Sequence, residues 1–62
     1  MATYMHPNGE KIITNFASVS YYDAQGELKR GTDLTKWTLN AEKWIDNDIK
    51  SGYYQGFVKV GA

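Results

Sequence analysis

No cysteine occurs in this 62-residue chain, and His6 is its only histidine. A disulfide is therefore impossible. A structural zinc site, which wants four Cys or His ligands, is excluded on the same count. A chain of this length buries only about 60% of the surface its unfolded form exposes. Its core has to come from bulky side chains. Two Trp, five Tyr and two Phe supply them, and each ring can bury about 150–250 Å². One small domain spanning 1–62 is the expectation, with self-association as the other route to burial.

Seven basic and seven acidic residues cancel. Zero net charge argues against a strong general affinity for nucleic acid or anionic membranes, which rely on excess positive charge. No apolar run approaches the roughly 18 residues of a membrane span. Met1–Pro7 lacks the basic start and apolar stretch of a secretion signal. A cytoplasmic protein without membrane contact is expected.

Three punctuation points divide the sequence. At Pro7-Asn8-Gly9, Pro presets one turn dihedral and Asn-Gly tolerates positive φ. The flanking apolar segments Thr3–Met5 and Ile12–Ile13 suggest a first hairpin. At Asp23-Ala24-Gln25-Gly26, Asp first and Gly last fit a type I turn closed by a left-handed glycine. The run Phe16–Tyr22 before it alternates β-branched and aromatic residues, and Glu27–Thr32 after it reads as a weaker strand. Gly31 is the candidate bulge there.

The third point is Ser51-Gly52, which closes the best helix signal. Ala41, Trp44, Ile45 and Ile49 recur at helical spacing. Asn40 is the preferred N-cap, Leu39 and Trp44 occupy the positions of a hydrophobic staple, and Gly52 suits the left-handed residue past the end. A rival start caps the helix at Thr32 or Asp33 and draws Leu34 and Trp37 into the stripe. Tyr53–Val60 reads as a last strand.

The fold class that follows is α+β. It is a small antiparallel sheet of three to four strands, ββαβ or βββαβ, with one amphipathic helix packed on one face. The last strand is expected beside Phe16–Tyr22. With Ala17, Val19, Tyr21, Val58 and Val60 turned to the helix, alternation sends Phe16, Tyr22, Lys29, Tyr53, Phe57 and Lys59 to the open face. Arg30 joins these as a candidate partner-binding residue, because Trp, Tyr and Arg dominate interface energetics. The blander reading is that the rings bury one another across strands.

Asp46 and Asp48 are secondary candidates. Both lie near the helix C-terminus, where the dipole disfavours negative charge. Asp48 also falls between Trp44 and Ile45/Ile49 on the helical wheel. Local rules are often broken at functional positions. The competing explanation pairs Asp46 with Lys50 and leaves Asp48 to water.

No catalytic residue is assigned. His6 has no nucleophile or acidic partner framing it, no phosphate loop is present, and neither a cofactor nor a metal site is expected. The expected function is a small non-enzymatic protein-binding module, acting as inhibitor, adaptor or accessory protein. The chain resembles, in type only, the short cysteine-free accessory products common among phage and mobile elements. The alternatives are a single-stranded nucleic-acid binder, with bases stacking on the open face and cations tracking phosphates, and a structural homo-oligomer.

Overall fold

The computed structural model describes residues 1–33 and 40–61. These contain strands β1 (Ala2–Met5), β2 (Lys11–Asn15), β3 (Ser18–Tyr22), β4 (Leu28–Asp33) and β5 (Val58–Gly61), with helix α1 (Ala41–Ser51) between β4 and β5. The strands form one antiparallel sheet in the order β4-β3-β2-β1-β5. The α+β class is as expected. The described residues hold five strands rather than three to four, because the first hairpin contributes two full strands.

Local chemistry explains each turn. At the first, the Asn8 side-chain oxygen accepts from Glu10 N at 2.9 Å, and Gly9 at φ +99° donates to the His6 carbonyl. At the third hairpin turn, the Asp23 carboxylate accepts from both Gln25 N and Glu27 N, and Gly26 takes φ +85°. Between them lies a turn with no glycine. Phe16 and Ala17 join β2 to β3, and Phe16 adopts φ +51°. The expected strand over Phe16–Tyr22 is thereby shortened to Ser18–Tyr22.

The helix starts at the later of the two expected positions. Asn40 Oδ1 accepts from Lys43 N at 2.9 Å, and Gly52 at φ +94° donates to the Asp48 and Ile49 carbonyls. The Phe16 carbonyl also accepts from Ala41 N, fastening the hairpin turn to the helix start. Leu34, Trp37 and Leu39, and with them the staple, lie outside the described residues.

The register fixes two faces. Tyr4 sits beside Ile12, and Ile12 beside Tyr21; Ala2 sits beside Thr14, and Thr14 beside Val19. This face lies under the helix, where Ala2, Tyr4, Ile12, Ile45 and Phe57 form a buried cluster flanked by Val19, Tyr21, Ile49 and Tyr54. Full burial of Ile12 and Ile45 contributes about 1.5–3 kcal/mol each. Thr14, the one buried polar side chain among the described residues, is satisfied by Ala2 N at 3.1 Å.

Three expectations about faces are corrected. β5 pairs with β1 at the sheet edge, not with the strand Ser18–Tyr22. Val58 and Val60, expected under the helix, are exposed, and Lys59, expected on the open face, lies opposite Tyr4 on the helix side. Phe57, also expected on the open face, is 8% exposed and belongs to the core. The reason is electrostatic as well as apolar. Lys59 reaches Glu42 and Asp46 on the helix flank, so β5 takes the register that satisfies the cation and leaves Val58 outside. The extra residues of the two edge strands are Val60 and Lys29, so the bulge in β4 lies at Lys29 and not at Gly31.

Candidate functional site

α1 buries Ala41 and Ile45 and half-buries Ile49, spaced four apart along one stripe. The candidate site lies beside that stripe, not on it. Trp44 and Asp48 are also four apart and share the neighbouring flank. Beyond the helix, Gly52 (φ +94°) and Gly56 (φ +95°) fold the chain back, which brings Tyr53 and Tyr54 round to the same end. Arg30, opposite Tyr21 in the register, comes from β4. These five residues line a groove of ≈ 410 Å³.

Its walls are unlike one another. Trp44 is 40% exposed and Tyr53 80%. Tyr54 leans into the core, its ring edge-on to Phe57 with centroids 6.0 Å apart. The Arg30 guanidinium stands 5.3 Å from the centroid of the Tyr21 ring. Among the described residues neither the Arg30 guanidinium nor the Asp48 carboxylate has an ion-pair partner. The groove thus combines aromatic surface with one charge of each sign, neither with an ion-pair partner among the described residues.

The other candidates are used elsewhere or stand apart. Lys59 and Asp46 belong to a tie between β5 and the helix. Lys59 Nζ contacts Glu42, and lies 3.3 Å from Asp46, while the buried Tyr4 hydroxyl donates to Asp46 Oδ1 at 2.8 Å. Asp46 therefore pairs with Lys59 rather than with Lys50. Burial, and then the bond to Asp46, pushes the Tyr4 phenol well above its ordinary range. The Glu42 hydrogen bond, followed by Asp46, raises Lys59. Lys29 pairs with Asp23 at 3.4 Å. Phe16 projects from the hairpin tip at 84% exposure.

Tyr22 does lie on the open sheet face, under the Lys11 ammonium at 5.1 Å. One row of that face crosses every strand: Val58, Met5, Lys11, Tyr22, Leu28. It is more aliphatic than expected, and Tyr22 is its single ring among the described strand residues. The proposed aromatic and basic docking face is therefore not assembled. Of the residues singled out from sequence, the structure brings Arg30, Tyr53 and Asp48 together. Trp44 and Tyr54 were missed, Trp44 because its helical spacing assigned it to the core. The available signal was that Ala41, Ile45 and Ile49 already complete a stripe without it.

No group of three or more His, Cys, Asp or Glu among the described residues could hold a metal ion. No helix among them is long and apolar enough to cross a membrane. Comparison with known proteins gives no match: no family model fits the chain, and neither a curated protein nor a solved structure is significantly similar to it.

Proposed function

We propose that this chain is a small protein-binding module whose contact surface is the groove between the end of α1, β4 and the loop at Tyr53–Tyr54. The observation that carries this reading is the meeting of exposed Trp44 and Tyr53 with two charges that lack ion-pair partners among the described residues, Arg30 and Asp48. Trp, Tyr and Arg are the side chains most often found at the energetic centre of protein interfaces. Exposed rings supply contact area, and charges supply orientation.

Self-association is the second reading. It is favoured by the row Val58, Met5, Lys11, Tyr22 and Leu28, in which Val58, Met5 and Leu28 are exposed on either side of Lys11 and half-buried Tyr22.

Affinity capture from the native source separates the two. One bait carries Arg30→Ala with Tyr53→Ala, another carries Tyr22→Ala with Val58→Ser, and each is first checked for native circular dichroism. The groove pair should lose the proteins captured by the unaltered chain, and the sheet-face pair should keep them. Loss from the sheet-face bait alone would reject the groove.

A further inference from the structure

Asp48 is placed where a carboxylate is locally unfavourable. It lies in the last turn of α1, whose dipole presents its negative pole there. Asp23, Glu42 and Asp46 each have a lysine beside them. Asp48, only partly exposed, has none among the described residues. A cation arriving at this point would meet a carboxylate, the negative end of a helix and the aromatic residues Trp44 and Tyr53, with Arg30 on the same lining. Aromatic faces attract cations, and Trp does so best.

We infer that the groove receives an arginine side chain projecting from the partner polypeptide, its guanidinium placed between the Trp44 and Tyr53 rings and paired with Asp48. This rests on the protein-binding reading and names the chemistry of what docks. Arginine fits better than lysine because a planar guanidinium stacks on rings and meets a carboxylate through two parallel hydrogen bonds. The volume of ≈ 410 Å³ lies near the small end of ligand pockets, which run about 300–1,000 Å³. It suits one long side chain rather than a helix. Arg30 already shows a guanidinium held over a ring at this end of the fold. On the same lining, its donors would receive a backbone carbonyl or carboxylate of the partner segment.

The test is a titration of the full chain, followed by ¹H–¹⁵N NMR, with N-acetyl-arginine amide and its uncharged isostere N-acetyl-citrulline amide. The arginine probe should shift the Trp44 indole N–H and the Asp48 and Tyr53 amides saturably, with an affinity on the order of millimolar. Citrulline should bind about tenfold more weakly, which corresponds to about 1.4 kcal/mol. Asp48→Asn and Tyr53→Leu should each weaken the arginine response. Equal responses to the two probes, a response untouched by Asp48→Asn, or none at all would overturn the inference. Should the arginine probe fail while the groove bait still loses its captured proteins, the docking surface stands and only the identity of its occupant falls.

Discussion

The Tyr4 hydroxyl donates to Asp46 Oδ1 at 2.8 Å, joining β1 to α1 across 42 positions of sequence. The same hydroxyl lies 3.2 Å from the Glu42 carbonyl, and the Lys59 ammonium stands 5.9 Å from the centre of the Tyr4 ring. One buried phenol thus links the helix to the centre of the β1–β5 pairing. Tyr4→Phe keeps the ring and removes the donor. Loss of a hydrogen bond to an ionised acceptor costs about 1.5–3 kcal/mol. In a domain of this size each kcal/mol lowers Tm by about 4–8 °C, so thermal unfolding followed by circular dichroism checks it.

The same tie sets the alkaline limit of stability. Folding raises the proton affinity of both Tyr4 and Lys59. A group raised on folding stabilises fully below its unfolded value, and that stabilisation fades as pH climbs through the folded value. Unfolded Tyr and Lys titrate near pH 10. Urea midpoints should therefore fall above about pH 10, and the fall should be shallower in Tyr4→Phe.

Asp23 works in the opposite direction. Its carboxylate is held below the ordinary value first by Glu27 N, then by Lys29 and Gln25 N. Its stabilisation is complete above the unfolded value of about 3.9 and is lost as pH falls below it. Asp23→Asn should lower stability in the neutral region while changing it little in strong acid, and so flatten the acid limb of a stability–pH curve.

Gly56 carries φ +95°, and a Cβ built there would stand 2.4 Å from His6 Nε2. His6 cannot simply swing away, since its ring packs edge-on to Phe57 with centroids 5.2 Å apart and its Nδ1 accepts from Asn8 N. Gly56→Ala should destabilise by about 1–3 kcal/mol through backbone strain alone, with the clash added. Adding His6→Ala should restore only the part due to the clash. Chemical denaturation of the single and double variants measures both parts.

Phe16 is the non-glycine residue with positive φ among the described residues. A left-handed conformation costs an L-residue roughly 1–2 kcal/mol, and at 84% exposure the ring recovers little by burial. Phe16→Gly should therefore stabilise the chain, by up to about 1 kcal/mol after the added freedom of the unfolded glycine is counted. A drop in stability would mean that the Phe16 ring has a packing role.

Those two turns show what sequence could and could not disclose. Asn40, Gly52, Asp23 and Gly26 act through local hydrogen bonds and φ preferences, so their roles were legible. Phe16 carries no turn signal, because glycine is the residue that marks such a position. The face assignment of β5 failed for a different reason. Hydrophobicity placed Val58 and Val60 inward, but Lys59 is drawn to Glu42 and Asp46, two residues on another element. The groove was half legible. Arg30, Tyr53 and Asp48 stood out by residue type or by a broken helix rule, whereas their convergence with Trp44 depends on how β4, α1 and the 52–57 loop meet.

The groove and the open sheet face differ in which of them meets a partner. A photo-crosslinking residue placed at position 53 and, separately, at position 22 reads that directly, in the native host and with the fold otherwise unaltered. Position 53 should yield a discrete covalent adduct with another polypeptide, and position 22 should yield none. An adduct from position 22 alone would contradict the groove as the contact surface.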